Sequence, residues 1–349
     1  MQIFDPYNAL FFVNNFNDVR RDRHGAFAEW RGSPIDDWQL EIGVRYTRVE
    51  FDAGPVDALA AQSPGPVRLL RDDFNAADRD RSDDLVDWVV KLSATPIDGL
   101  NIHVSGGRKS RAPYYIERYQ WIPLEVTAGL ADGNEYVGDI GLDAEVGHEL
   151  EGGFAWRGRW LYLAPRAFAR WVDEYIQGTP TTDPDVTAIA PGALQFSNVE
   201  ALLYGVDLEG GVDLPGPFQL DGTLSYVRGE RRDADDDLFR IAPLRGRVTL
   251  GFRSGPWHAA VEGVLAARQD RVSKTNRETG TPGYGILNLY AGWEPRTGLR
   301  LMVGIDNVAD ALYRDHLSGI NRVANSDVAQ GARIPSAGRN FYGRFAWRW

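Results

Sequence analysis

The last eleven residues, 339–349, strongly limit what this chain can fold into, because apolar and polar side chains alternate along them. Every second position from Phe341 to Trp349 is aromatic or glycine, and the positions between them include Arg344 and Arg348. Side chains alternate faces along a strand, so this segment has one aromatic face and one largely cationic face. A transmembrane barrel places such an aromatic row against lipid and the arginines in a wet lumen.

The same alternation recurs through the chain in segments of about the 9–11 residues that a membrane-spanning strand needs. Short connections such as 215–217, 254–256 and 295–298 alternate with long polar ones such as 75–84, 178–197 and 308–339. Short turns at one rim and long loops at the other are typical of outer-membrane barrels. The sequence therefore predicts an all-β fold, a transmembrane antiparallel up-and-down β-barrel of about 13–14 strands. The thirteen predicted strands lie near residues 24–31, 38–52, 85–95, 98–108, 144–156, 159–174, 199–214, 217–229, 242–254, 256–269, 284–294, 297–306 and 339–349, and residues 1–23 offer one more candidate.

Composition agrees with an envelope protein. The 349 residues include no cysteine, which excludes disulfide scaffolds and Cys-ligated zinc. Mean hydropathy is −0.35, and no apolar run approaches the roughly 18 residues of a transmembrane helix. The net charge of −11 argues against a nucleic-acid partner, which favours a basic surface.

Two acidic runs, residues 71–84 and 233–237, resemble calcium loops only superficially. The first is interspersed with arginines, and neither has the EF-hand spacing with its terminal Glu. We expect both to be solvated loop tips.

The closing segments of the chain resemble the last strands of a TonB-dependent outer-membrane receptor. In that family a strand ends in a Val/Leu-x-Asn-Leu/Val-Phe/Ala-Asp turn, a long external loop follows, and a Pro-Gly-Arg element starts the last strand. Here residues 304–310 read Gly-Ile-Asp-Asn-Val-Ala-Asp, and residues 335–339 read Pro-Ser-Ala-Gly-Arg, a more open form of that element. Residues 110–121 resemble the family's Arg-Ala-Pro-Ser loop, and residues 204–209 resemble its strand beginning Gly-Val/Ile-Glu.

The resemblance implies active uptake of a scarce nutrient across the outer membrane of a Gram-negative bacterium, above all a ferric siderophore or similar metal chelate. The TonB complex would supply the energy through a plug domain, and a complete receptor has a 22-stranded barrel. We find neither a plug nor a signal peptide, so residues 1–349 are interpreted as the C-terminal portion of a barrel domain. The alternatives are a complete passive porin-like barrel of about 14 strands and an outer-membrane barrel hydrolase.

Candidate ligand-binding residues follow from the resemblance, since family ligands meet external loops and side chains that face the lumen. The candidates are aromatic and charged residues of two predicted loops: Arg111, Tyr114, Tyr115, Tyr119, Trp121, Tyr313, His316 and Arg322. Such clusters suit an anionic, partly aromatic ligand such as a ferric catecholate. The alternative is that the tyrosines and tryptophans form the outer aromatic girdle while Arg111 and Arg322 tie loops together.

Neither a metal site nor catalysis is expected. The five histidines show no paired spacing, which favours a hydrogen-bonded loop role for His316 over a ligand role. Two methionines, Met1 and Met302, are too few for a thioether copper site. Ser318 lies near His316 and Asp315, but no nucleophile elbow surrounds it. We therefore predict that the chain is not an enzyme and needs no cofactor.

The alternating C-terminus has a second expected role. In outer-membrane barrels the assembly machinery recognises such a terminus, so Phe341, Phe345, Trp347 and Trp349 are the predicted assembly signal. The alternative is that these side chains only face lipid. The expected partners are thus outer-membrane lipid, the assembly machinery, the TonB complex and a small-molecule ligand.

Overall fold

The computed structural model describes residues 2–5, 8–124 and 131–348, with side chains from Leu10 onward. Three helices, α1 (Pro66–Ala76), α2 (Tyr115–Tyr119) and α3 (Pro184–Ile189), and a 3-10 turn at Leu59–Gln62 lie in the described connections. The described strands are β1 (Gln2–Asp5), β2 (Asn8–Asn14), β3 (Arg20–Gly32), β4 (Trp38–Asp52), β5 (Asp57–Ala58), β6 (Arg81–Ile97), β7 (Leu100–Arg111), β8 (Tyr136–Val137), β9 (Glu145–Arg157), β10 (Leu161–Pro180), β11 (Leu194–Asp213), β12 (Phe218–Arg231), β13 (Arg245–Ser254), β14 (Trp257–Ala266), β15 (Tyr284–Arg296), β16 (Leu299–Asp306) and β17 (Asn340–Trp347).

One large sheet contains all thirteen strands that the sequence predicts. Its order is β17-β16-β15-β14-β13-β12-β11-β10-β9-β7-β6-β4-β3, and each strand pairs antiparallel with its neighbours along this path. The short strand β8 pairs parallel with β11. The all-β, up-and-down antiparallel prediction is therefore confirmed.

The described part of residues 1–23 does not add the further barrel strand for which the sequence offered it as a candidate. Instead β1 and β2 form a separate small sheet with β5, and β3 already begins at Arg20.

The large sheet is an open part of a barrel. Its edges are β3 and β17, and within the described residues these two strands do not pair with each other. Each edge presents one row of backbone N–H and C=O groups without a partner strand.

The two faces of the sheet differ as the alternation predicts. On β16 and β17 the outward row includes Val303, 61% exposed, and Phe345, 63% exposed. The inward row of the same strands carries Arg300 and Arg344. In water, an apolar row with this degree of exposure would promote aggregation. In a membrane the same row faces lipid and is shielded from water.

Aromatic side chains border this apolar band. Trp257 and Trp293 occupy facing register positions near one rim, with stacked rings whose centroids are 5.6 Å apart. Tyr46 lies towards the opposite rim on the outward face, and its hydroxyl donates to Asp84 at 2.6 Å. Such amphipathic rings suit the two membrane–water interfaces.

The two rims of the sheet are unequal. Consecutive strands such as β11 and β12, or β15 and β16, are joined at one rim by tight turns, which we call the short-turn rim. Gly298 in one of these turns has φ of 86°, and a Cβ there would lie 2.6 Å from the Arg348 carbonyl oxygen. At the opposite, long-loop rim the connections are residues 53–80, 112–144, 181–193, 232–244, 267–283 and 307–339.

The main hydrophobic core lies at the long-loop rim and not between two layers of strands. Together with residues 8–19, the described parts of the long connections form a packed assembly that we call the loop cap. Val49 and Phe51, each 1% exposed, extend the inward row of β4 into its core, where they join Phe74, Tyr119 and Trp121. The cap therefore packs against the inner face of the sheet.

The acidic runs are exposed along much of their length, as the sequence predicts, but neither is a simple loop tip. Residues 71–76 of the first run belong to α1, and β6 already begins at Arg81. Helix α1 buries Leu70 and Phe74 on one face, which leaves the acidic positions on the other. In the second run, Asp236 is partly buried and accepts hydrogen bonds from another loop.

No helix in the described ranges is both long enough and apolar enough to cross a membrane.

Replacing Phe51 by alanine should lower the free energy of unfolding by about 3–5 kcal/mol, because it leaves a cavity in the cap core. Phe27→Ala is the matched control, since Phe27 lies on the adjacent strand and is 74% exposed. That control should cost about 0.5 kcal/mol or less. Thermal unfolding of both variants in detergent micelles measures the difference, and equal losses would show that the core does not lie at this rim.

Candidate functional site

Arg111, at the end of β7, joins three segments of the loop cap. Its guanidinium donates to Glu145 at 2.7 Å from both Nε and Nη2, and to Glu117 at 2.8 Å from Nη1. It also lies 5.0 Å from the centre of the Tyr114 ring. Arg111 is thus engaged with two carboxylates and ties α2 to the start of β9.

Tyr114 and Tyr115 present aromatic surface at the long-loop rim. They are 55% and 41% exposed, and Tyr115 meets Phe16 edge-on at a centroid distance of 5.1 Å. The Tyr114 backbone N–H donates to Glu117 at 2.7 Å as part of a capping box at the start of α2. This arrangement holds both rings at the surface on a short fixed helix.

Tyr119 and Trp121 lie in the core of the cap instead. Tyr119 is fully buried, and its hydroxyl donates to the Arg79 carbonyl oxygen at 2.7 Å. Burial raises the pKa of Tyr119 to about 12. Trp121 is 5% exposed, and its Nε1 donates to the Asn14 carbonyl oxygen at 3.3 Å. Both side chains pack the cap and do not face solvent.

A buried ion pair lies beside this core, and no pattern in the sequence predicts it. Arg118 Nη2 lies 2.8 Å from Asp83 Oδ1, and the two side chains are 2% and 9% exposed. The guanidinium also lies 5.0 Å from the centre of the Phe51 ring. Since Asp83 is in β6 and Arg118 in α2, only the folded chain brings them together.

His316 is buried in a polar contact between two long loops. Its Nε2 lies 3.0 Å from Glu278 Oε1, and the two side chains are 0% and 2% exposed. Its Nδ1 lies 3.0 Å from the Thr281 hydroxyl. Ser318 lies two residues away, and the Asp315 carboxylate accepts from the Tyr284 hydroxyl at 3.0 Å. The partners of His316 are therefore Glu278 and Thr281, not members of a hydrolase triad.

Tyr313 and Arg322 lie in the same long connection, 307–339. The Tyr313 ring packs against Tyr284 with a centroid distance of 4.5 Å, which fixes it near the start of β15. Arg322 is half-buried further along the loop. The eight candidates thus divide between two separate regions of the cap, one around α2 and one around residues 267–283 and 307–339.

The connection 267–283 contacts several other loops. Asp236 accepts from the backbone N–H groups of Lys274 at 2.7 Å and Thr275 at 2.9 Å. Arg277 Nη2 donates to the Asn134 amide oxygen at 2.9 Å and to the Gly192 carbonyl oxygen at 2.6 Å. Residues 273–281 therefore bridge loops that are far apart in sequence.

Paired charges line the inner face of the sheet below the cap. Arg166 Nη2 donates to Asp207 at 2.9 Å, and Asp207 also accepts from the Ser225 hydroxyl at 2.7 Å. On β14, Glu262 accepts from Asn288 at 2.9 Å and from the Tyr290 hydroxyl at 3.1 Å. The lumen side is thus polar along strands whose outward side is apolar.

No group of three or more His, Cys, Asp or Glu residues in the described part of the chain is arranged to hold a metal ion.

The two closing motifs meet in space. The Asp310 carboxylate accepts from the Arg339 backbone N–H at 2.8 Å, next to Gly338. Phe341, Phe345 and Trp347 then follow on the outward face of β17, 67%, 63% and 54% exposed, while Trp349 lies outside the described residues. The long loop is therefore closed at its base by the Asp of the first motif and the Gly-Arg of the second.

Replacing Asp236 by asparagine should loosen the loop that it holds. Burial acts to raise the pKa of Asp236, but hydrogen bonds from Thr275, Lys274 and Ser273 outweigh it and hold the pKa below its usual value. A carboxylate with a lowered pKa stabilises the fold above its unfolded-state value, so this contact should weaken as the pH falls below about 4. At neutral pH the Asn variant should lose about 1–3 kcal/mol of local stability.

Hydrogen–deuterium exchange at the amides of Lys274 and Thr275 measures that loss. Asp235→Asn serves as the control, because the neighbouring Asp235 side chain is fully exposed. Its distance to the Lys274 ammonium group is 3.9 Å, which is a long and solvent-screened contact. Equal acceleration in both variants would contradict the assigned role of Asp236.

This architecture has matches among known proteins. A family model described as TonB dependent receptor-like, beta-barrel, matches residues 2–308. No curated protein sequence matches the chain at a significant level.

Solved structures of similar fold include three transporters or receptors. The copper transporter OprC superposes with a TM-score of 0.78 at 20% identity, over 95% of this chain and 48% of that one. The FrpB iron transporter from Neisseria meningitidis, F3-3 variant, gives 0.66 at 14% identity, over 95% and 46%. The siderophore receptor PirA from Acinetobacter baumannii gives 0.63 at 13% identity, over 94% and 55%.

The chain therefore spans about half the length of each of these structures, and at such identities the likeness concerns the fold. The match to the family model covers most of the chain and agrees with the open antiparallel sheet, its apolar outward band and its unequal rims. The chain belongs to the TonB-dependent receptor-like β-barrel family, whose members are transporters of the Gram-negative outer membrane and not enzymes.

Proposed function

We propose that this chain forms part of a receptor that takes up a scarce nutrient, a ferric siderophore or similar metal chelate, with energy from the TonB complex. The observation that carries the proposal is the loop cap, a packed structure on one rim above a charged inner face. Long loops of such barrels face the cell exterior. The cap is thus located where a ligand arriving from outside would first meet the protein.

A packed cap favours selective, gated uptake over a passive pore. A porin keeps an aqueous path open, whereas here Val49, Phe51 and Tyr119 are almost fully buried against the inner face of the sheet. Moving this core would expose apolar surface to water, which costs about 25 cal/mol of free energy for each Å² exposed. Such a barrier fits a transporter that must couple passage to an energy source.

Tyr114 and Tyr115 are the proposed first contacts of the ligand. Both rings are exposed at the start of α2, and the Arg111 guanidinium lies beside Tyr114. Exposed aromatic faces suit a partly aromatic chelate, while Arg111, paired with Glu117 and Glu145, fixes the segment that carries them. Tyr313 and Arg322 remain secondary candidates in the other region of the cap. Tyr119 and Trp121 are assigned to packing, and the buried His316 is assigned to the contact between two loops.

Iron chelates fit the chain better than copper does. Similar folds are found in proteins described as a copper transporter, an iron transporter and a ferric-catecholate import receptor. This chain has two methionines and no cysteine, so it offers few soft ligands for copper. A chelate bound through its organic shell needs no metal ligand from the protein.

The coupling to TonB is inferred to require more than residues 1–349. The open edges β3 and β17 each have an unsatisfied backbone row, which the hydrocarbon core of a bilayer does not tolerate. We infer that further strands complete a larger barrel, of 22 strands in this family, with a plug that contacts TonB. Lipid on the outward face and the assembly machinery at β17 are the remaining proposed partners.

Uptake of radiolabelled iron by cells that express the full-length gene product tests the proposal. The probes are ferric citrate and a ferric tris-catecholate, each given to cells with and without TonB. We expect uptake of at least one probe that is lost without TonB. Uptake at the same rate in both strains would indicate a passive pore instead.

Alanine replacement of Tyr114 and Tyr115 together should weaken binding of the transported probe about 10-fold, since each ring contact contributes roughly 0.5–1 kcal/mol. Tyr46→Ala is the control, because Tyr46 is 46% exposed but lies on the outward face of β4. Binding of the probe to whole cells measures the change. An unchanged affinity in the double variant would remove α2 from the binding surface.

A further inference from the structure

A pocket in the loop cap is lined by several cationic side chains. It has a volume of about 190 Å³ and is lined by residues of four long connections, 112–144, 232–244, 267–283 and 307–339. Arg240, Arg277 and Arg333 all line it. It is separate from α2 and its tyrosines.

Two of these guanidinium groups contact neutral oxygen atoms. Arg277 Nη2 donates to the Asn134 amide oxygen and the Gly192 carbonyl oxygen. Arg333 donates to the carbonyl oxygens of His316, Ser318 and Thr279. Among the ion pairs within residues 10–124 and 131–348, none includes Arg277 or Arg333. Their charge is thus not neutralised by a direct carboxylate contact.

The two carboxylates that line the pocket are already engaged elsewhere. Glu278 faces His316 and accepts from the backbone N–H groups of Arg240 and Ser273. Asp132 accepts from the Asn134 backbone N–H at 3.1 Å and side-chain amide at 3.0 Å, and from the Tyr136 hydroxyl. Among the described lining residues, three guanidinium groups and two carboxylates give an excess of one positive charge.

Unpartnered donors in the wall point to an acceptor that the protein itself does not supply. Asn276 is 2% exposed, and its Nδ2 makes no hydrogen bond of ordinary geometry within the described residues, although the Tyr136 hydroxyl lies nearby. Arg333 Nε is also buried without a partner there. A buried donor without a partner costs about 1–3 kcal/mol, so an acceptor that reached these atoms would stabilise the wall.

The surroundings of Arg333 support the same conclusion. Burial lowers the pKa of Arg333, Glu278 acts against this, and the nearby Arg240 guanidinium adds to it. Arg240 and Arg277 also have positive φ angles of 59° and 54°, a conformation that costs a residue with a side chain about 1 kcal/mol or more. An anion in the pocket would offset both the charge repulsion and the desolvation.

We propose that this pocket binds the carboxylate or phosphate group of an anionic ligand, held by Arg277, Arg333 and the Asn276 amide. Its volume is below the roughly 300–1,000 Å³ of pockets that enclose a drug-sized molecule. It therefore accommodates a small free anion or one anionic arm of a larger chelate. Because four long connections meet there, the bound anion also cross-links the polar half of the loop cap.

Calorimetric titration of the full-length protein in detergent, at constant chloride concentration, tests the pocket. The probes are inorganic phosphate, malonate and ferric citrate. Asn276→Asp is the sharpest variant, because it keeps the shape and the oxygen that accepts from Ser273 while replacing a donor that makes no hydrogen bond of ordinary geometry within the described residues. Arg277→Gln removes one charge, and Arg268→Gln is the control, since Arg268 is 74% exposed and paired with Asp270.

We expect saturable binding of at least one probe, weakened roughly 10-fold or more by Asn276→Asp and by Arg277→Gln and unchanged by Arg268→Gln. Binding of free phosphate or malonate identifies a small-anion site, and binding of ferric citrate alone identifies a site for a chelate arm. No saturable binding of any probe, or equal weakening by the Arg268 control, overturns the inference. Binding is measured without transport, so a protein that binds the anion but takes up no iron refutes the proposed function and leaves this pocket standing.

Discussion

The hydrogen-bond ladder between neighbouring strands is the constraint on which the rest of this molecule depends. A bilayer offers no partner to a backbone N–H or C=O group, so each membrane-spanning segment must pair with another. Continuous registers such as those between β3 and β4 or between β11 and β12 meet that demand for the interior strands. Once the ladder is fixed, the period of two sends each side chain either to lipid or to the lumen.

Fixing the ladder also determines where the packed core forms. Among the described residues, no second sheet packs against either face of the large sheet between its two rims. Strands that continue past the membrane, as β4 does to Phe51, carry their inward row into a region where loops can cover it. The cap core is therefore continuous with the sheet and is positioned by it.

The strands could be predicted from sequence because their signal is local. Leu299, Leu301, Val303 and Ile305 alternate within a few residues, and β16 lies where that alternation places it. The long loops carry no such period, so the burial of Asp236, the Asp83–Arg118 pair and helix α1 within an acidic run were not predicted. The cationic pocket was not predicted for the same reason. Its arginines lie at positions 240, 277 and 333, and only the folded loops bring them together.

The site candidates show the same division. The family resemblance drew attention to the aromatic segment around α2, but the exposed Tyr114 and the buried Tyr119 lie in one short stretch. Which of them faces out depends on the helical turn and on Phe74, whose ring meets Tyr119 edge-on at a centroid distance of 6.4 Å. A contact between residues 45 positions apart cannot be read from the spacing of either one.

The two parts of the loop cap are held by different forces, and this limits how each can vary. Around Phe51 and Trp121 the contacts are apolar, so a smaller side chain costs stability in proportion to the cavity that it leaves. Around Glu278 and His316 the contacts are buried and polar, so removing one partner leaves the other without compensation. A tolerated substitution in the polar part must therefore be accompanied by a substitution of its partner. The residues proposed to bind an anion there also hold the loops in place.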